Sequence, residues 1–157
     1  MNFRAILLAF AVAGSALSVS AGGAAALSAN DLVGTWTLVT AKPFGPNPKG
    51  ILMFDANGRM TATVMRTKLP NYASKNRNRG TPAEYKAIAQ GSLAYYGSYS
   101  VSGTDLLIHV EGSTYPNWAG TTQKRTNVTV AGDELKWTVA APSGGGAPPV
   151  TVWRRAK

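Results

Sequence analysis

Residues 31–41, with the sequence DLVGTWTLVTA, predict the strand on which the fold begins. Its most informative part is the triplet Gly34-Thr35-Trp36. A glycine lets another backbone approach closely, and a tryptophan two residues later supplies a large ring that has to be buried. Because a series of further short strands follows, this pair predicts the closed end of a small barrel.

Seven more strand-like runs follow, and most of them are joined by short turns. The clearest turn is Asn57-Gly58, since both residues tolerate the positive φ of a two-residue hairpin. The eight predicted strands are residues 32–41, 50–55, 60–65, 95–101, 105–111, 121–130, 134–140 and 150–155. Sequential hairpins at regular spacing favour an all-β fold, an eight-stranded antiparallel up-and-down barrel with room for packed side chains or one small ligand.

One helix is predicted between the third and fourth strands. In the run Thr81-Pro82-Ala83-Glu84, Thr81 can cap the first turn, Pro82 suits the first helical position and Glu84 completes a capping box. Positions at helical spacing form one stripe, namely Tyr85, Ile88, Ala89, Ser92, Leu93 and Tyr96. The segment before the helix, residues 66–80, carries basic but no acidic residues and is predicted to be a loop.

The first 21 residues predict a secretory signal peptide. Arg4 precedes a nearly unbroken apolar run, and small residues suit cleavage after Ala21, with Ala26 as a second possible cut. Residues 22–30 form a predicted linker and residues 31–157 the barrel domain. An uncleaved anchor is the alternative, although the run is shorter than the roughly 20 residues of a membrane span. We expect an exported protein, periplasmic or secreted, without a transmembrane span in its mature form.

The composition limits the partners and the means of stabilisation. The chain contains no cysteine, so the apolar core has to support the domain without disulfides. Sixteen basic and seven acidic residues give a formal net charge of +9, or +8 without Arg4. Such a charge attracts nucleic acid, anionic lipid or acidic ligands. Export argues against nucleic acid; an anionic envelope surface stays open, as does a role in solubility alone.

The two ends of the predicted barrel resemble a known fold. Gly34 and Trp36 with the run Trp153-Arg154-Arg155 are similar to the Gly-x-Trp and closing arginine of lipocalins. The resemblance implies that a terminal arginine, assigned here to Arg154, covers Trp36 through a cation–π contact. An ordered set of motifs resembles the bacterial and fungal lipocalin-like domain family over about residues 32–155; these motifs lie at residues 32–36, 45–50, 65–66, 80–85, 93–95, 109–111 and 116–121.

His109, the only histidine, and Glu111 lie two residues apart on the fifth predicted strand and therefore share one face. If the apolar residues between them face inward, both side chains lie in solvent. The alternative is that the pair lines the cavity, where the two could act as a catalytic acid and base. The family resemblance at residues 109–111 favours the cavity.

Three residues of the loop and strand that follow are predicted to bind a ligand. Asn117 and Trp118 could form a wall of the barrel mouth, with Trp118 stacked on the ligand; a loop anchored by a buried tryptophan is the alternative. Arg125 shares a strand face with Gln123 and could donate hydrogen bonds to a carboxylate or carbonyl. The alternative for Arg125 is an exposed strand face.

Three more predicted contacts complete the ligand site. Tyr96 and Tyr99 belong to a set of tyrosines and methionines that suits an adaptable apolar cavity, although the same residues also suit a solid core. Arg66 and the basic loop after it lie where a lid could form, and would favour an anionic ligand. A solvated charged loop is the alternative.

Motifs for cofactors and metals are not found. With one histidine and no cysteine, the usual zinc ligand sets cannot be assembled, and neither a phosphate-binding glycine loop nor a G-x-S-x-G nucleophile motif occurs. We predict no cofactor and no metal.

Three functions fit these features. The first is an exported binding protein for a small hydrophobic or amphipathic molecule, possibly anionic. The second is a cofactor-free isomerase or cyclase that uses His109 and Glu111. The third is a basic envelope-interaction protein with a solid core.

Overall fold

The computed structural model describes residues 26–157. The predicted signal peptide, residues 1–21, and residues 22–25 of the predicted linker lie outside this range. Across the described residues, no helix is both long and apolar enough to cross a membrane.

Eight antiparallel strands form a closed barrel in chain order, which confirms the predicted fold. The strands are β1 (Gly34–Ala41), β2 (Lys49–Phe54), β3 (Arg59–Met65), β4 (Ser92–Ser102), β5 (Asp105–Ser113), β6 (Thr122–Ala131), β7 (Glu134–Val139) and β8 (Val150–Arg155). Closure is made by β1, which pairs with β2 on one side and with β8 on the other. The predicted strands each overlap one of these, so the hairpin pattern was sufficient to define the sheet.

Alternation along each strand divides the barrel into an apolar inside and a polar outside. On β5, Leu106, Ile108 and Val110 are fully buried, while the residues between them face outward. The buried apolar residues of all eight strands join into one core cluster. A shift of a strand by one residue would therefore turn its apolar side chains to the outside and its polar side chains to the inside.

Within residues 26–157, two α-helices and three short 3-10 helices connect or flank the strands. They are α1 (Ala29–Leu32), α2 (Pro82–Gly91), and the 3-10 turns Lys42–Phe44, Arg77–Arg79 and Pro116–Trp118. The sequence missed α1: Ser28 caps it and Leu27 packs against the core, so part of the predicted linker rests on the barrel.

The helix α2 lies between β3 and β4 as predicted, and its capping box is present. The Thr81 hydroxyl accepts a hydrogen bond from the Glu84 amide, and the Glu84 carboxylate accepts one from the Thr81 amide. The predicted stripe was wrong in its second half, because the helix ends at Gly91. Ser92 already pairs with Met65 in the sheet, so Ser92, Leu93 and Tyr96 follow the two-residue period of a strand.

The closed end of the barrel is built around Trp36. Its indole is fully buried, and its Nε1 donates a hydrogen bond of 2.8 Å to the Leu32 carbonyl oxygen at the end of α1. The Arg155 guanidinium carbon lies 4.1 Å from the centroid of the Trp36 ring. The same guanidinium donates hydrogen bonds to the carbonyl oxygens of Val33 (2.8 Å) and Asp31 (3.1 Å). One side chain thus ties the last strand to the first and to α1.

The closing arginine is Arg155, and the assignment to Arg154 was wrong. Alternation on β8 places Thr151 and Trp153 inside the barrel, so Arg155 shares their face while Arg154 is exposed. Gly34 makes room for this contact: it adopts a φ of +126°, and a Cβ atom there would lie 2.9 Å from Nη1 of Arg155.

We predict that Arg155→Ala lowers the free energy of unfolding by about 2 kcal/mol, because it removes one cation–π contact and two charge-assisted hydrogen bonds. Urea unfolding measures the loss. The matched control is Arg154→Ala, which removes the same charge from an exposed position and should change stability by less than about 0.5 kcal/mol. Equal losses in the two variants would contradict the closing role of Arg155.

We also predict that the α2 cap weakens in acid. Glu84 accepts hydrogen bonds from the amides of Ala73 (2.8 Å) and Thr81 (2.6 Å), and these lower the pKa of its carboxyl below 4.5. A depressed pKa in the folded state gives stability that is present above the unfolded value and lost as pH falls through the folded value. An NMR titration of the Glu84 carboxyl carbon should show a midpoint below 4.5.

Glu84→Gln is the comparison for this prediction. It keeps the side-chain shape but cannot ionise, so its stability should change less than that of the wild type as pH falls from about 7 to about 3. The same slope for both proteins, or an ordinary midpoint for Glu84, would contradict the cap.

Candidate functional site

A cavity of about 320 Å³ occupies the end of the barrel opposite Trp36. Its walls come from residues of β1, β3, β4, β6, β7 and β8 and from the loops beside them. The main wall residues are Val64, Leu93, Tyr95, Trp118, Trp137 and Trp153. The loop of residues 140–149 borders the mouth, together with Phe44 from the 3-10 turn after β1.

Five aromatic rings line the cavity. Tyr95 and Trp118 meet edge to face with their centroids 5.4 Å apart, and the Trp137 and Trp153 rings lie 5.8 Å apart at a tilt. Trp118 comes from the 3-10 turn Pro116–Trp118, whose Pro116 starts the turn and whose Trp118 folds inward to become buried. These rings give a ligand flat apolar surfaces on several sides.

Arg125 brings a positive charge into this apolar cavity. Only 2% of the residue is exposed to solvent. It points inward because β6 alternates: Lys124 faces outward and pairs with Asp105 at 2.6 Å, which leaves Arg125 on the inner face. Its guanidinium carbon lies 5.4 Å from the Trp118 ring centroid and 5.9 Å from that of Tyr95. It donates hydrogen bonds to the Tyr95 hydroxyl (3.3 Å) and to the Lys124 carbonyl (3.2 Å).

The buried charge of Arg125 has no anionic partner. The ion pairs found in residues 26–157 involve other residues, and residues 1–25 contain neither aspartate nor glutamate. The cavity lining likewise contains no carboxylate. Two buried polar atoms lack a hydrogen-bond partner in the described part of the chain: the indole Nε1 of Trp153, a residue of the cavity lining, and Oε1 of Gln123 on β6.

The mouth of the cavity adjoins a second, open groove on the surface. Pro43 and Phe44 belong to both, so they form the wall between them. The groove carries three exposed cations, Lys42, Arg66 and Lys68. We refer to these three residues as the cationic groove. Thr67 fixes its two sides by donating a hydrogen bond of 2.9 Å to the Pro46 carbonyl oxygen.

Two of the predicted ligand contacts line the cavity, namely Trp118 and Arg125. The predictions for Asn117 and Tyr96 do not match the structure: both side chains are exposed, and the Tyr96 ring lies on the outer face against Gly112. Arg66 lies outside the cavity, in the cationic groove.

Tyr99 faces inward but belongs to the solid end of the barrel. Its hydroxyl donates a hydrogen bond of 2.8 Å to the Asp55 carbonyl oxygen, and its ring meets Phe54 edge to face. Burial, with the nearby Asp55 charge, raises the pKa of its hydroxyl above 10. The prediction that Tyr99 contacts the ligand is therefore wrong, because its polar end is already bonded away from the cavity.

The prediction that His109 and Glu111 line the cavity is also wrong. Both are exposed on the outer face of β5, since Ile108 and Val110 face the core. Glu111 forms a two-contact ion pair with Arg59, with 2.7 Å between Nη2 and Oε2. The hydrogen bond from Arg59 lowers the pKa of the Glu111 carboxyl, so the group is committed to a surface ion pair.

The sequence analysis missed Trp137 and Trp153 as lining residues. On β7 a signal was present, because Leu135 and Trp137 alternate with polar residues and are therefore expected to face inward. On β8, Val150 and Val152 flank Thr151, so the local pattern does not single out the face of Trp153. Within residues 26–157, no cluster of three histidine, cysteine, aspartate or glutamate side chains could hold a metal ion.

Comparison with known proteins places this geometry in a family. A family model for the lipocalin-like domain matches residues 33–156. The 4'-hydroxy-3'-methoxypropiophenone carrier protein of Aspergillus oryzae is 37% identical over 91 residues, which are 53% of this chain and 81% of that protein.

Solved structures of similar shape are more distant. A redesigned β-barrel has a TM-score of 0.46 at 13% identity, over 83% of this chain and 96% of its own. A mutant of the fluorescent protein UnaG has a TM-score of 0.40 at 13% identity, over 82% of this chain and 98% of its own. Because the family model covers nearly the whole described range, the chain belongs to the lipocalin-like domain family.

Proposed function

We propose that this protein binds and carries a small molecule with an aromatic body and at least one acceptor oxygen. The observation that carries the proposal is Arg125, a buried donor of hydrogen bonds in a cavity lined mostly by apolar side chains. Ligand sites commonly combine an apolar lining with a few polar groups that fix the orientation of the ligand.

The lining defines the two halves of such a ligand. The rings of Trp118, Trp137 and Trp153 pack against its apolar body. Its oxygen accepts hydrogen bonds from Arg125 and from the unpartnered Nε1 of Trp153. At about 320 Å³ the cavity is at the small end of the roughly 300–1,000 Å³ seen for ligand pockets, which favours a single-ring compound.

A carrier fits these features better than the other two functions considered from the sequence. A catalyst built on His109 and Glu111 loses its basis, since both face away from the ligand. A protein with a solid core does not fit the cavity. The Aspergillus relative supports carriage, because its name describes a carrier of an aromatic ketone.

We also propose that the protein works after export, as a periplasmic or secreted carrier. The support is the apolar run and the small residues before Ala21. Cleavage after Ala21 or after Ala26 would leave Leu27, which packs on the core, and Ser28, which caps α1.

The first test uses the relative's ketone as the probe. We expect 4'-hydroxy-3'-methoxypropiophenone to quench tryptophan fluorescence saturably, because three of the four tryptophans line the cavity. Arg125→Met should weaken binding by about 10-fold or more, the loss expected for a hydrogen bond to a charged donor.

Arg154→Met is the matched control for this test, since it removes the same charge from the outer face of β8 and should leave affinity unchanged. Circular dichroism confirms that both variants keep the fold. If a folded Arg125→Met protein bound the ketone as tightly as the wild type, the role of Arg125 would be refuted.

The second test concerns export. Expression of the whole chain in a bacterium should yield a mature protein whose mass, measured by mass spectrometry, matches a chain that starts at Gly22, or at Leu27 for the alternative cut. Replacing Ala21 with a bulky charged residue should block the first cut. A protein that keeps Met1 and stays in the cytoplasm would contradict export.

A further inference from the structure

We propose that the ligand of this cavity is an organic anion, whose negative oxygen neutralises Arg125, and that the cationic groove steers it to the mouth. The inference rests on the proposed binding function and specifies the charge of the bound molecule. Two separate observations lead to it: the unpaired buried charge, and three exposed cations beside the same opening.

The residues around Arg125 compensate its buried charge only in part. Moving a charge out of water costs several kcal/mol unless a counter-charge and hydrogen bonds compensate. The partners of Arg125 within residues 26–157 are neutral: two aromatic rings, one hydroxyl and one carbonyl. They stabilise the guanidinium only in part, and its two hydrogen bonds use two of its five N–H groups. A carboxylate or phenolate would supply the missing counter-charge.

The second observation is the charge of everything else around the cavity. No carboxylate of the described residues lines it, and the positive charge of Arg125 repels a cationic ligand. A neutral ligand would leave Arg125 uncompensated, and an anionic one would pair with it in a low-dielectric surrounding where the attraction is strong. The lining therefore discriminates among ligands of the same shape by their charge.

The groove extends the same sign of charge to the surface. Lys42, Arg66 and Lys68 form no ion pair within the described chain, and they flank the wall made by Pro43 and Phe44. Clustered charge of one sign raises the local concentration of oppositely charged ligands and speeds their association. An anion held in the cationic groove is separated from the mouth of the cavity only by Pro43 and Phe44.

The equilibrium test compares three compounds with one ring: 4-hydroxy-3-methoxybenzoate, its primary amide, and the corresponding methyl ketone. Near pH 6 the carboxylate is charged and the phenols are neutral. We expect the carboxylate to bind about 10- to 100-fold more tightly than the amide. In Arg125→Met, the carboxylate and amide should bind within about threefold of each other, while Arg154→Met should keep the wild-type ratio.

A pH series distinguishes the two anion sources. If the ketone binds more tightly as its phenol ionises, and this gain is lost in Arg125→Met, the preferred anion is a phenolate and the inference holds. A carboxylate that binds no better than its amide, together with a ketone whose affinity does not rise on ionisation, would overturn it. If the ketone and the amide bind but the carboxylate does not, the proposed binding function stands and the anion inference fails. If none of the three compounds binds, both the proposed function and the anion inference are refuted.

The kinetic test addresses the groove. In stopped-flow measurements at low salt, the variant Lys42→Gln/Arg66→Gln/Lys68→Gln should associate with the best-binding anion about 10-fold more slowly, with little change in dissociation rate. The control Lys136→Gln/Arg154→Gln/Lys157→Gln removes the same charge away from the mouth. An association rate that falls equally in both variants, or that does not change with salt concentration, would refute steering by the groove.

Discussion

The contact of Arg155 with Trp36 is the constraint on which the rest of the structure depends, because it joins the last strand to the first. A sheet of eight strands buries its inner face only when its edges meet, and an open edge would expose unpaired backbone groups. The guanidinium covers the indole and also bonds the carbonyls of Val33 and Asp31. It therefore fixes where the barrel closes and holds α1 across the same end. With that end sealed, the cavity found in the barrel of residues 26–157 lies at the other end.

Parity along the strands then decides which side chains reach that space. On β6, Lys124 faces solvent and pairs with Asp105, and Arg125 faces the cavity. On β5 the same rule sends His109 outward. Arg125 and His109, both predicted from the sequence to be site residues, thus lie on the inner and the outer face of the barrel. The chemistry inside the barrel is set by one arginine, and by rings that come from three strands, β4, β7 and β8, and from two short turns.

Much of the fold could be predicted from the sequence, because turns and alternation are local signals. A turn between β2 and β3, the capping box at Thr81 and the strand pattern all follow from neighbouring residues, and the structure has them. The two-residue form predicted for the turn was wrong: the last pair in register is Phe54 with Met60, and of Asn57 and Gly58 only Gly58 has a positive φ. The errors arose where two periods compete. After Gly91 the chain changes from helical to strand spacing, so Tyr96 was assigned to a helical stripe when it belongs to the outer face of β4.

The site was less predictable, since it depends on which ends of distant strands meet. Trp118 and Arg125 were identified by residue type, but no local pattern shows that Trp137 and Trp153 share a wall with them. That follows only from the register of β7 on β8 and from closure. The choice between Arg154 and Arg155 was within reach, because the burial of Trp153 fixes the parity of its neighbours.

The retention of Arg125 at such a depth is best understood as a balance between stability and binding. An apolar side chain of similar size would pack in the cavity without the desolvation penalty, and buried charges replaced in this way often leave proteins equally or more stable. The fold itself therefore has little need of the guanidinium. A ligand with a negative oxygen reverses the balance, because the guanidinium has already lost its water during folding and only the ligand has to be desolvated on binding. The rings of Trp118 and Tyr95 hold the guanidinium in place meanwhile. The barrel is thus preorganised around a charge to which its described residues supply no counter-charge.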